Sequence, residues 1–110
     1  MASFVIQKRG GERYLAALID VNGDVVLRGP ICVSLVTCYQ SLDAIRANAN
    51  AFSNYELADS IDGKFFFELN GSDGAEIARS VTFETASDVY FGIEFVRRTI
   101  HCAILEDHPH

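Results

Sequence analysis

Sliding the chain against itself by 51 residues aligns Phe4–Ala49 with Tyr55–Ile100 without a gap, and this internal repeat constrains the fold more than any other feature. Identities are few (Leu18/Leu69, Gly23/Gly74, Arg28/Arg79, Tyr39/Tyr90 and Arg46/Arg97), but apolar positions match between them: Phe4/Tyr55, Ile6/Leu57, Tyr14/Phe65, Ala16/Phe67, Val26/Ile77, Cys32/Phe83, Leu42/Ile93 and Ile45/Val96. What recurs is a burial pattern. Two copies are too few for a solenoid, in which every unit needs neighbours to cover its apolar face, so the expectation is two supersecondary units sharing one core. The chain of 110 residues suits a single core and is short for two independent ones.

Each copy has the same order of local signals. Strands are expected at Ser3–Lys8 and Asn54–Asp59, where short alternation precedes Gly10-Gly11 and Asp62-Gly63, turn residues that tolerate positive φ. A second strand follows at Arg13–Asp20 and Lys64–Leu69, and Asn22-Gly23 or Asp73-Gly74 turns it into a third at Asp24–Arg28 and Ala75–Arg79. The apolar period then lengthens from two to about 3.6. Leu35, Cys38, Tyr39, Leu42, Ile45 and Ala49 form one helical stripe, and Ala86, Val89, Tyr90, Ile93, Val96 and Ile100 the other. Ser34 and Thr85 stand where an N-cap belongs, and Arg46, Arg97 and Arg98 lie near the C-termini, where the helix dipole favours cations.

These residues resemble the YegP-like proteins, small bacterial proteins of uncharacterised function. The resemblance runs through Gly74, Ile77, Ser80, Phe83, Gly92-Ile93, Val96 and Arg97 in the second copy, and through Gly23, Val26, Gly29, Cys32, Ser41-Leu42, Ile45 and Arg46 in the first. Pro30 and Val81 stand where the family has an acidic residue, and Cys32 replaces an aromatic. The resemblance implies two β-β-β-α-β units in one antiparallel sheet, with C-terminal strands exchanged between units and Cys102–Leu105 supplying the last. It implies no reaction. The fold expected is therefore α+β: a single domain, 1–110, of two tandem repeats, 1–51 and 52–110, with two helices on one face of the sheet.

Alternation along the strands divides the sheet's two faces. The positions apolar in both copies (4/55, 6/57, 14/65, 16/67, 18/69 and 26/77) are expected to face the helices. The outer face then reads Val5, Gln7, Leu15, Ala17, Ile19, Val25 and Leu27 in the first copy, but Glu56, Ala58, Phe66, Glu68, Asn70, Glu76 and Ala78 in the second. A sheet covered on one side shows water a mixed surface, as the second copy does. Val5, Leu15, Ile19, Val25 and Leu27 are thus a candidate contact patch for self-association or another protein. Glu56, Glu68 and Glu76 form a solvated acidic face, with docking of a basic partner as the sharper alternative.

Net charge follows the same division. Residues 1–51 carry five basic and four acidic groups, net +1, whereas residues 52–110 carry four and eleven, net −7. No basic stripe exists to neutralise phosphates, so generic nucleic-acid binding is not expected. No apolar run of about 18 residues spans a membrane. The first residues lack the pattern of a secretory signal, and three cysteines at 32, 38 and 102 make no disulfide framework, so the expected compartment is the cytoplasm.

Candidate chemistry is sparse. Cys38 lies on a helical stripe and Cys32 aligns with Phe83, which favours packing over nucleophilic work. His101 and Cys102 are adjacent, so on a strand their side chains diverge. Glu106, Asp107, His108 and His110 are metal ligands in type, but a frayed tail is the simpler expectation. Gly10-Gly11 has no Lys-Ser/Thr partner of a phosphate loop. Arg28 and Arg79, on the helix-facing phase, are expected to reach an acidic group or carbonyl, with anion binding as the alternative. Tyr39 and Tyr90 are expected in the core. No catalytic residue, metal or cofactor is assigned. The function expected is a non-enzymatic interaction module working through the apolar outer face, and the alternative is a small-ligand binder or minor enzyme using a groove between the helices.

Overall fold

Every hairpin turn in the sheet contains a glycine at positive φ. In the computed structural model, which describes residues 2–106, Gly10, Gly11, Gly23, Gly63 and Gly74 all have φ between +57° and +87°. The turns they close separate β1 (Ser3–Lys8), β2 (Tyr14–Ile19) and β3 (Val25–Arg28), and then β4 (Tyr55–Asp59), β5 (Phe65–Asn70) and β6 (Glu76–Ser80). Helix α1 (Leu35–Asn48) follows β3, and α2 (Ala86–Thr99) follows β6. Both N-caps are the residues expected: Ser34 Oγ accepts from the amide of Thr37, and Thr85 Oγ1 from that of Asp88. A short β7 (Ile104–Glu106) ends the described chain.

The seven strands make one sheet in the order β4-β5-β6-β3-β2-β1-β7. The halves meet at β3 and β6, antiparallel, with Leu27 opposite Ser80 and Arg28 opposite Arg79. The sheet is mixed, which corrects the expectation of a wholly antiparallel one, because β7 runs parallel to β1 with Ser3 opposite Ile104. Between α1 and β4 the chain forms a 3-10 turn at Phe52–Asn54 instead of a strand. No helix among the described residues is long and apolar enough to cross a membrane.

One core fills the space between sheet and helices. Phe4, Ile6, Ala16, Leu18, Phe67 and Leu69 meet Cys38, Leu42 and Ile45 of α1 and Val89, Ile93 and Val96 of α2. A smaller cluster of Val5, Leu15 and Ala17, with Ile19 and Val25 against it, lies on the outer face.

Alternation fails at one place in each half. The β2–β3 ladder pairs Ile19 with Val25 but Leu18 with Leu27, and the β5–β6 ladder pairs Asn70 with Glu76 but Leu69 with Ala78. A bulge inserts Val26 or Ile77 and reverses the phase of everything after it. Leu27 therefore leaves the expected contact patch: it points to the helices and is 0% exposed in the main core. Ala78 moves inward in the same way, and Arg28 and Arg79 stand on the outer face instead of the helix-facing one. Tyr90 is also displaced from its expected core position. It is 46% exposed and stacks on Phe52 with ring centroids 6.3 Å apart.

Candidate functional site

The outer face of β1–β3 has four of the five residues expected in a contact patch. Val5 and Leu15 are buried beneath their neighbours, while Ile19 and Val25 are half-buried at its margin. Ile104 extends the apolar strip across β7, opposite Ser3, and is 63% exposed. Gln7, directly across the ladder from Leu15, has its Oε1 buried with no hydrogen-bond partner among the described residues. Such an orphaned acceptor costs about 1–3 kcal/mol relative to a satisfied one. Neither Gln7 nor Ile104 was singled out from the sequence, because a lone polar residue in a strand and an exposed residue in a short one have no periodic signature.

The second half presents charge there. Glu56 and Glu68 are direct neighbours across β4 and β5, and Glu68 lies opposite Arg79. Arg79 organises the array. Its Nε donates to Glu76 Oε2 at 2.8 Å, its Nη2 donates to Glu76 Oε1 at 3.0 Å and to Glu68 Oε1 at 3.2 Å, and its guanidinium lies 4.9 Å from the Phe66 ring centre. The hydrogen bond that Arg79 donates to Glu76 is the main cause that raises its pKa above the ordinary value. Being exposed, these pairs each stabilise by at most about 1 kcal/mol.

Two hollows flank the β3–β6 seam. One, of about 430 Å³, opens where the Gly29–Ile31 loop diverges from β6; Arg9, Leu15, Arg28 and Ala78 also line it. The other, of about 440 Å³, lies between the β2–β3 hairpin and α2. Val26, Phe83, Gly92 and Phe95 line it, and Asp20, Asp24 and Asp88 stand around it. No residue of α1 borders that second hollow, so it is not the groove between helices that the sequence suggests. Asp20 is occupied with its turn, its Oδ1 accepting from the amides of Asn22 and Asp24.

The nucleophile candidates are dispersed. Cys38 is fully buried, and burial first, then the neighbouring Cys32, pushes its thiol up to about 11. It is protonated at neutral pH, which disfavours nucleophilic chemistry. Cys32 Sγ donates to Pro30 O, and Cys102 is exposed with no disulfide. Among the described residues no group of three or more His, Cys, Asp or Glu side chains could hold a metal ion. Asp107, His108 and His110 lie outside the described residues.

No family model matches the chain. Its sequence is 22% identical over 106 residues to the UPF0339 protein PA0329 of Pseudomonas aeruginosa, covering 96% of each chain. It is 24% identical over 94 residues to the UPF0339 protein YegP of Escherichia coli, covering 86% of each. The solution structure of E. coli YegP, described as a protein of unknown function, superposes with a TM-score of 0.88 at 22% identity, covering 98% of this chain and 93% of that one. The chain resembles the YegP-like proteins in sequence and fold. A second solution structure, the UPF0339 protein SO3888 of Shewanella oneidensis, gives a TM-score of 0.87 at 16% identity, with 98% and 92% covered. Both neighbours being below 25% identity, they establish the α+β architecture alone.

Proposed function

We propose that this chain is a non-enzymatic interaction module that docks a protein partner or a second copy of itself through the outer sheet face of its first half. The observation that carries the reading is the apolar strip of Val5, Leu15, Ile19, Val25 and Ile104 on the face opposite both helices, with the unsatisfied Gln7 Oε1 beside it. A partner that covers Ile19, Val25 and Ile104 and donates to Gln7 removes apolar area from water and satisfies a buried acceptor at once. The acidic array of Glu56, Glu68 and Glu76 flanks that strip and favours a partner with basic groups at its margin.

In the same reading the chain is one domain, 1–110, made of two copies of a β-β-β-α unit, 1–51 and 52–110. The matching positions of the N-caps, bulges and bridges support it, as does β7, which the second copy lends to the first. The cytoplasm is the proposed compartment, where Cys32, Cys38 and Cys102 remain thiols.

Light scattering of the purified protein together with partner capture tests the module, using Ile19→Glu and Val25→Glu, which alter the margin of the strip without opening the main core. Loss of a dimer or of a captured protein on either substitution is expected. A monomer whose captured proteins are the same before and after both substitutions refutes the reading.

A further inference from the structure

The cleft at the β3–β6 seam combines an apolar wall with positive charge that nothing in the described chain neutralises. Arg28 and Arg79 are directly opposed across the ladder, an arrangement in which like charges repel. Arg79, which also borders the cleft, is relieved of that repulsion: Glu76 and Glu68 accept from it, and its guanidinium lies over Phe66 on β5. Arg28 has no such relief. Neither it nor Arg9, the second free guanidinium on the cleft, makes an ion pair or side-chain hydrogen bond among the described residues. Leu15, Pro30, Ile31 and Ala78 supply apolar lining between them. Glu76 also borders the cleft, but both its carboxylate oxygens are engaged by Arg79.

The opposite hollow sharpens the contrast, since the acidic groups around it are Asp20, Asp24 and Asp88 and it has no basic residue in its lining. The two sides of one seam therefore carry opposite charge. The first also has a size within the range of small-molecule sites, about 300–1,000 Å³.

We propose that the seam cleft binds a small organic acid, its carboxylate held by Arg28 and Arg9 and its apolar body lying against Leu15, Pro30, Ile31 and Ala78. A planar guanidinium and a carboxylate match in a two-point hydrogen bond, and the apolar lining rewards a carbon skeleton that a bare inorganic anion lacks. The cleft shares Leu15 with the docking strip, but Ile19, Val25 and Ile104 do not line it and no partner is needed to form it.

The test titrates the full, isotope-labelled chain with 4-phenylbutyrate and follows backbone amide shifts. Saturable shifts at Leu15, Ile31 and Ala78 are expected, with a Kd on the order of millimolar for a ligand of this size. Arg28→Gln should weaken binding by about tenfold or more, the effect of losing a charge-assisted hydrogen bond, while its unperturbed spectrum elsewhere shows the fold intact. Arg9→Gln should weaken it less, because that residue comes from a hairpin turn. Arg79→Gln should change it by under about threefold, since that guanidinium is already occupied. Binding of the neutral amide 4-phenylbutyramide as tightly as the acid overturns the proposal, as does inorganic phosphate binding equally well. So does the absence of saturable shifts, or binding that survives Arg28→Gln unchanged. None of these outcomes bears on the oligomeric state, so the site and the docking strip fail independently.

Discussion

Phe67 and Phe83 pack against Gly92 in the second half, whereas the corresponding positions of the first half hold Ala16, Cys32 and Ser41. The difference is a redistribution of volume. A Cβ on Gly92 would come within 2.8 Å of Phe83 Cζ and 3.3 Å of Phe67 Cε2, so the bare backbone there admits the two rings. In the first half the helix has a side chain, Ser41, and the backbone opposite yields instead: a Cβ on Gly29 would lie 2.9 Å from Ser41 Oγ. The second half places Ser80 at that point, its Oγ accepting from the amide of Phe67 and donating to Val81 O. One backbone plan thus accepts two side-chain solutions, provided large and small residues are exchanged in pairs.

Breaking the comparison outright requires removing the largest ring. Phe67→Ala gives the second half the residue of the first, without the compensating volume, and should cost about 3–5 kcal/mol in denaturant unfolding. Phe67 is fully buried and meets Tyr55 edge-on at 5.5 Å, so a loss below about 1 kcal/mol would mean the halves are not packed as described.

A sharper test transplants a matched pair. Gly92→Ser should destabilise by about 1–3 kcal/mol through overpacking against Phe83. Adding Phe83→Cys should leave the double variant more stable than the sum of the two single losses predicts, with a coupling of about 0.5–3 kcal/mol in a double-mutant cycle. Additive losses would show that the two positions do not share one space.

An alkaline titration separates the halves through Cys38, whose counterpart is Val89. The folded thiol titrates at about 11 against an ordinary 9.0, so above pH 9 the unfolded chain gives up a proton that the folded chain keeps. Stability contributed by the protonated thiol is therefore complete below pH 9 and declines as pH rises toward 11. Burial raises Tyr55 in the same direction, its hydroxyl donating to Ala49 O at 2.6 Å, and adds to the decline. Cys38→Val should flatten part of the alkaline loss measured by thermal unfolding; an unchanged profile would exclude Cys38 as its source.

The smallest effects concern the opposed arginines. Arg79→Ala should cost at most about 1 kcal/mol, less at high salt, because its ion pairs are exposed. Arg28→Ala should be neutral or stabilising by a few tenths of a kcal/mol, since it removes a repulsive neighbour. Equal losses at both sites would contradict the asymmetry between them.

Turns, caps and helices were legible because each rests on residues a few positions apart. Ser34 caps α1 and Thr85 caps α2, and the glycines at 23 and 74 close the hairpins where expected. The bulges were not legible, since Val25, Val26 and Leu27 are all branched apolar residues and any alternation fits them; only the partner strand decides which is extra. That single uncertainty misplaced Leu27, Arg28, Ala78 and Arg79 together, and with them the cleft. A last strand near Cys102–Leu105 was expected, but its parallel direction was not, because that is set by the path of α2 and not by the strand's own residues. Val5, Leu15, Ile19 and Val25 lie on the outer face, where alternation puts them, because they precede the bulge or flank it.

The pairing of β7 with β1 has a consequence for the order in which the structure assembles. Ser3 Oγ donates to Glu106 Oε1 across 103 positions of sequence, while the hairpins on either side close over a few residues. Closing so long a loop before the intervening core exists costs entropy that one three-residue ribbon does not return. Condensation of the two meanders and their helices shortens that loop, which favours seating β7 on a β1 already held. Until β7 seats, β1 is an open sheet edge able to recruit a strand from another chain, and β7 is the element that ends that exposure.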